Sequence, residues 1–249
     1  MPGAAESTPL KLLRTAVRGA NGQGALHANA AVDADISLQW FEPRYWLTRD
    51  AVVGRRGGRR GVVLVVEDAG HRYVLRHYRR GGLAARFIHD DYLWLGESRT
   101  RSLAELQLLM RMHADGLPVP RPVAARYEQS GLAYRADLIT EYIPETETLA
   151  DRLAAGDLGL STWKAIGRCI RRFHDYGLCH ADLNAHNILL RGEEEVFLID
   201  FDRGSRRGPG LWRDANIARL RRSLDALEDK RSQPRFGETE WQVLLAAWF

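Results

Sequence analysis

Between Ser161 and Gly204 the chain reads STWKAIGRCIRRFHDYG, then LCHADLNAHNILL, then, after five residues, VFLIDFDRG. Trp163, Ile166, Ile170 and Phe173 fall on one stripe at helical spacing, and Gly177 supplies the stop. NILL and VFLI are short apolar runs of strand type. A polar loop carrying His180, Asp182 and Asn187 therefore leaves the end of an amphipathic helix and enters a strand. The following strand ends in two carboxylates, Asp200 and Asp202. Taken alone, His-x-Asp-x-x-x-x-Asn is a loose pattern, but helix, loop, strand and strand-terminal acid in this order are specific.

Those residue types suit phosphoryl transfer. That chemistry needs a carboxylate to orient and deprotonate an acceptor hydroxyl, and hard oxygen ligands for Mg²⁺ beside the phosphates. Asp182 fits the first role, and Asn187 with Asp200 the second. The same chemistry asks for a basic residue on a strand, an acid on a helix to hold it, and a glycine turn whose N–H groups face phosphate. Arg76 in YVLRHY, Glu105 in SLAELQLLM, and Gly57, Gly58 and Gly61 in GRRGGRRG are the candidates. Arginine stands in the cation position because no lysine lies between Lys11 and Lys164. The whole chain has only three lysines among its 36 Lys and Arg residues.

Around this constellation the reading is α+β. Residues 1–35 are rich in Ala, Gly and Asn without an aromatic residue, and are expected to be variable or loosely ordered. From 36 to 143 the glycine turn, VVLVVE, YVLRHY and AYRADLITEYI predict a sheet. SRTRSLAELQLLMRMHADG predicts one helix, with Ser98 or Thr100 as cap and Gly116 as stop. Pro144 and the acidic ETET run mark a boundary, and 144–249 is mainly helical. At 45% hydrophobic and 27% charged the composition is globular, with length for two small lobes sharing a cleft. No apolar run approaches the roughly 18 residues of a membrane span. The amino terminus lacks a secretory pattern, and the two cysteines, Cys169 and Cys179, fit a reducing compartment; a cytosolic protein is expected.

The ordered set WFEPRYW, GGRRG, YVLRHYRRGGL, DDYLWLGESRTRSLAEL, GLPVPRPVAAR, YRADLIT, HADLNAHNILL and LIDFDRG resembles the protein-kinase-like fold. Within it the chain is most similar to the bacterial lipopolysaccharide kinases that act on 3-deoxy-D-manno-octulosonic acid (Kdo). The resemblance implies a bilobal fold, with a small antiparallel sheet lobe carrying one helix and a mainly helical lower lobe. It also implies ATP and Mg²⁺ as cofactors and phosphorylation of the Kdo 4-hydroxyl on a lipid A precursor. The enzyme would work peripherally at the cytoplasmic face of the inner membrane. Asp182 carries over as the catalytic residue, and Asn187 and Asp200 as metal ligands.

Departures from protein kinases narrow the acceptor. Ala181 and Asn184 replace the Arg and Lys that flank the catalytic Asp there, and the metal motif reads Asp200-Phe201-Asp202. Only residues 201–249 follow Asp200, too few for the peptide-docking helices of a protein kinase. No protein substrate is expected. Guanidinium groups suit an anionic sugar-lipid, and Arg79, Arg80, Arg203, Arg206 and Arg207 are the acceptor candidates. A kinase of aminoglycoside or choline type shares the loop, but its cationic acceptors call for an acidic pocket. A nucleotide-binding scaffold is disfavoured because every acid for chemistry is present. The basic balance comes without a stacking motif, so no nucleic-acid partner is expected. A zinc set from His174, Cys179, His180 and His186 has no standard spacing; His180 and His186 read as structural. The stripes Trp40, Phe41, Tyr45, Trp46 and Trp241, Leu244, Leu245, Trp248 read as packing faces before membrane-surface anchors.

Overall fold

Leu64, Val66, Tyr73 and Leu75 alternate with less buried neighbours and are all buried, so VVLVVE and YVLRHY fold as adjacent strands over one core. The computed structural model describes residues 11–19, 22–58, 61–78, 92–229 and 234–249. The chain divides into two compact units. The first takes in the described residues up to Arg111 together with Arg121–Tyr142, and the second takes Met112–Pro120 with Ile143–Phe249.

The first unit contains β1 (Leu12–Gly19), β2 (Gly22–Asn29), α1 (Pro43–Leu47), β3 (Val52–Gly58), β4 (Gly61–Asp68), β5 (His71–His77), β6 (Tyr92–Leu93), α2 (Arg101–Ala114), β7 (Pro122–Ser130) and β8 (Ala133–Glu141). Seven strands form one sheet in the order β1-β2-β7-β8-β5-β4-β3, with β6 paired to β8. Every pairing is antiparallel. Trp40, Phe41 and Trp46 close one side of the core. Trp40 meets both Trp46 and Tyr73 edge-on at 5.1 Å, and the Trp46 indole donates to the Trp40 carbonyl at 2.7 Å. Full burial of such side chains contributes about 1.5–3 kcal/mol each. Trp40, Phe41 and Trp46 of the WFEPRYW block are therefore packed inside this unit, while Glu42, Pro43 and Arg44 face solvent.

One expectation changes here. The lead-in 1–35 is not loose over 12–29, where β1 and β2 pair with each other and β2 pairs with β7. Its small residues are a requirement of that pairing. A Cβ at Gly22 would lie 1.6 Å from the Gln129 carbonyl oxygen, and one at Gly24 would lie 2.2 Å from that of Tyr127. β7 itself has no alternating pattern to announce it, because Val123, Ala124 and Ala125 are all buried. Residues 1–10 lie outside the described residues.

The second unit contains β9 (Glu147–Thr148), α3 (Leu149–Ala155), α4 (Leu160–Asp175), β10 (Leu178–Cys179), β11 (Ile188–Arg191), β12 (Glu195–Leu198), β13 (Ser205–Arg206), α5 (Trp212–Glu228) and α6 (Glu238–Trp248). Thr148 caps α3, its hydroxyl accepting from Asp151 N–H at 3.0 Å. Trp163, Ile166 and Ile170 bury one face of α4. Gly167 admits α6 to the same helix, since a Cβ there would stand 2.3 Å from the Leu244 carbonyl oxygen. Trp241 and Leu244 are buried, which accounts for the α6 stripe by packing. Among the described residues no helix is long and apolar enough to cross a membrane. The architecture is thus a mixed α+β protein with a large antiparallel sheet and a second, mainly helical unit.

Candidate active site

In the first unit, β5 brings Arg76 to α2. The guanidinium Nη2 donates to the Glu105 carboxylate and to the Tyr78 hydroxyl at 3.1 Å. Tyr78 donates in turn to the same Glu105 oxygen at 2.5 Å. The Glu105 side chain is 2% exposed and that of Arg76 is 21% exposed. A buried carboxylate is thus shared between a cation and a hydroxyl, and part of the guanidinium side chain stays in contact with solvent. Burial, and then the Glu105 charge, push the Tyr78 hydroxyl well above its ordinary pKa. Tyr78 thereby remains a donor. The predicted Arg76–Glu105 pair forms, and Tyr78 completes it.

The glycine turn is a hairpin, with Gly57 opposite Val62 and Gly58 opposite Gly61. Its tip, residues 59–60, lies outside the described residues, as do Arg79 and Arg80. In the second unit, Arg206 stacks over the Tyr176 ring at 4.5 Å. Arg207 Nε donates to the Ser205 hydroxyl at 3.2 Å, and Arg203 is exposed with φ of +63°.

The polar loop between β10 and β11, also in the second unit, is fixed from three directions. His180 is 2% exposed. Its Nδ1 accepts from the Asp182 N–H at 3.2 Å, and its Nε2 lies 3.0 Å from the Ile199 carbonyl, to which it donates. Both ring nitrogens are committed in a neutral tautomer, and burial holds the imidazole pKa below its ordinary value. The ring also packs on Phe201 at 4.9 Å, and Phe201 stacks on Phe173. His180 is therefore a brace for the loop.

Asp182 sits on the rigid part of that loop. Its carbonyl accepts from Asn184 Nδ2 and Asn187 Nδ2, both at 2.9 Å. Asn184 also caps the following turn by accepting from His186 N–H at 2.9 Å. Since its amide nitrogen is spent on Asp182, Asn187 turns a carbonyl oxygen away from that bond. This Oδ1 takes no hydrogen bond among the described residues. The Ile199 N–H donates to the Asn187 carbonyl at 3.1 Å, which sets Asn187 opposite Ile199 and next to Asp200. Asp200 has φ of +65°, a left-handed conformation that costs a non-glycine residue about 1–3 kcal/mol. The loop and the end of β12 hold it there. An amide oxygen just before β11 and a carboxylate just after β12 suit Mg²⁺, which takes one or two protein oxygens and completes its shell with phosphate and water.

Among the described residues no three His, Cys, Asp or Glu side chains gather to hold a metal ion. His174 Nδ1 accepts from Trp248 Nε1 at 2.8 Å, and both cysteines are buried and free.

The family model described as the lipopolysaccharide kinase (Kdo/WaaP) family matches residues 44–248. This chain belongs to the lipopolysaccharide kinase family. Within it the chain is 48% identical over 200 residues to a 3-deoxy-D-manno-octulosonic acid kinase of Stenotrophomonas maltophilia (strain K279a), covering 80% of this chain and 78% of that one. A protein of the same name from Xanthomonas campestris pv. campestris (strain B100) is 48% identical over 201 residues, covering 80% and 79%. Another from Photobacterium profundum is 43% identical over 204 residues, covering 82% and 86%.

In this lipopolysaccharide kinase the loop is also gripped by α5, and here sequence reasoning missed three residues. Asn216, 5% exposed, accepts from His180 N–H at 3.1 Å and donates to the His180 carbonyl at 3.0 Å. The Ser223 hydroxyl accepts from Ala185 N–H at 3.1 Å. Arg219 Nη1 lies 3.4 Å from the Asp182 carboxylate. Their spacing of three and four residues places them on one helix face. A polar stripe within DANIARLRRSLDAL was the available signal.

Proposed function

We propose that this protein transfers the γ-phosphoryl group of ATP to the 4-hydroxyl of the Kdo sugar on a lipid A precursor. The observation that carries the chemistry is the loop geometry. Asn187 binds the Asp182 carbonyl and pairs with Ile199, so the acid, the amide oxygen and Asp200 share one rigid base. Family membership and the names of the relatives supply the acceptor. In this reading the first unit is the nucleotide-holding lobe of a protein-kinase-like fold and the second is the catalytic lobe.

Asp182 orients the acceptor hydroxyl and takes its proton as that oxygen joins phosphorus. The bond between phosphorus and the β–γ bridging oxygen breaks, and ADP leaves. Asn187 and Asp200 would hold Mg²⁺, which neutralises charge on the phosphates. Arg76, fixed by Glu105 and Tyr78, directs its solvent-facing edge to the nucleotide phosphates, with the Gly57, Gly58 and Gly61 hairpin supplying backbone N–H groups. The exposed Arg203, Arg206 and Arg207 give a basic face for an anionic lipid surface, consistent with peripheral work at the cytoplasmic side of the inner membrane. An aminoglycoside- or choline-type acceptor finds no acidic counterpart in these residues. The test is an acceptor panel with ATP and Mg²⁺ read by mass spectrometry, containing Kdo-lipid A, heptosylated core, an aminoglycoside and a generic protein. Phosphate on Kdo-lipid A alone is expected, and phosphate on another member instead would reject the acceptor.

A further inference from the structure

Of the three α5 side chains that reach the polar loop, two bind backbone groups and act as struts. Arg219 alone of the three meets a carboxylate, and that carboxylate is Asp182. The contact is loose. At 3.4 Å it is well beyond the roughly 2.7–2.9 Å of a strong charge-assisted bond, and the two side chains are 46% and 36% exposed. Within the same unit, Arg191 holds Glu195 through two bonds of 2.7 and 2.8 Å. Arg219 engages Asp182 through Nη1, so most of its guanidinium fork is not used by that pair. Its backbone is nevertheless well placed. Asn216 and Ser223, on either side along the helix, are both bonded to the loop. One turn further on, Arg222 is exposed and makes no ion pair among the described residues.

We propose that Arg219, supported by Arg222, is the subsite for the carboxylate of the acceptor sugar, and that Arg219 passes from Asp182 to that carboxylate when the acceptor binds. This inference rests on the proposed function, because the acceptor named there is a sugar acid. In such a sugar the carboxylate-bearing carbon and the 4-hydroxyl carbon are separated by a single ring carbon. An acceptor whose hydroxyl is seated on Asp182 therefore brings its carboxylate to a side chain already touching Asp182. A planar carboxylate takes two parallel bonds from a guanidinium, a geometry that the present single contact does not achieve. Binding would also release Asp182 from this cation as the hydroxyl arrives. Of the acceptor candidates chosen from sequence, Arg206 lies over Tyr176 and Arg207 bonds Ser205.

The experiment compares Kdo-lipid A with the same lipid carrying its Kdo carboxyl as the primary amide, in the unmodified enzyme, Arg219→Ala and Arg219→Lys. For the unmodified enzyme, kcat/KM should favour the carboxylate by about 10- to 100-fold, the range that a charged hydrogen-bond pair supplies. Arg219→Ala should bring the ratio of the two acceptors close to one, and Arg219→Lys, with charge but no fork, should fall between. An unchanged ratio in Arg219→Ala overturns the inference. So does an equal loss on both acceptors, which would mean that Arg219 serves Asp182 and not the ligand. Transfer to both lipids without discrimination by the unmodified enzyme overturns it too, while leaving the proposed function intact. Transfer to neither would remove the proposed function and this inference together.

Discussion

Asn216→Ala cuts the tie between α5 and His180 while leaving every proposed chemical group, and the Ser223 and Arg219 contacts to the polar loop, in place. The substitution removes one acceptor and one donor, at 3.1 and 3.0 Å from the two backbone groups of His180. His180 is 2% exposed and Asn216 is 5% exposed, so neither backbone group has ready access to bulk water. Leaving a buried donor or acceptor unmade costs about 1–3 kcal/mol each, which sums to about 2–6 kcal/mol for the pair. We expect a loss near the middle of that range, about 3–4 kcal/mol, read as a lower urea midpoint at an unchanged denaturant slope. His180 braces both Asp182 N–H and the Ile199 carbonyl, so turnover should fall by about 10- to 100-fold as Asp182 and Asp200 lose their common base. The KM for ATP should change far less. A variant within about 0.5 kcal/mol of the parent, the range of an ordinary surface change, with normal turnover would refute the view that α5 positions this loop.

Glu105→Gln keeps the shape of the α2 carboxylate but removes its charge from beneath Arg76. Breaking a buried pair costs about 3–5 kcal/mol, and the lower end applies because Arg76 keeps part of its side chain in water; the KM for ATP should rise about tenfold or more in steady-state assays. Stability should also fall on mild acidification. Burial holds His174 at about 4, against 6.5 for a free imidazole, and His180 is lowered for the same reason. The unfolded chain therefore binds more protons between these values. Stability is complete above pH 6.5 and declines toward pH 4, by about 3 kcal/mol for His174 alone. Glu97, held at about 2 mainly by Arg14 hydrogen bonding, loses its contribution only below its unfolded value of 4.5, so unfolding midpoints at about pH 7 and pH 5 report the histidines. His174→Gln should reduce the fall over that interval, leaving the part due to the other buried histidines, and an unchanged slope would contradict the assignment.

The second unit was largely legible because its helices carry clear stripes and stops. Trp163, Ile166 and Ile170 announce α4, and Gly177, with φ of +81°, ends it. The loop candidates stand out in the sequence for a different reason, since the proposed phosphoryl transfer restricts which side chains can occupy such a loop. Other features were hidden by physics of longer range. β2 gives a weak strand signal because its close approach to β7 requires glycine at 22 and 24 in place of the bulky residues that usually signal a strand. β7 is buried on both faces along its first half and so loses its alternation. Asn216, Arg219 and Ser223 reach partners more than 35 positions away in sequence, and a polar residue on a helix gives no sign of which distant group it will meet. Tyr78 lay only two residues from Arg76, but its tie to Glu105 depends on the packing of β5 against α2.

In the proposed reaction Asp182, on its braced loop, moves phosphate to Kdo. The most direct test follows labelled phosphate from ATP to Kdo-lipid A in the unmodified protein and in Asp182→Asn, with nucleotide affinity measured alongside. Transfer by the unmodified protein is expected, with a fall of about 10²- to 10⁴-fold in the variant as a positioned base is lost and nucleotide affinity nearly intact. Undiminished transfer by Asp182→Asn would contradict it.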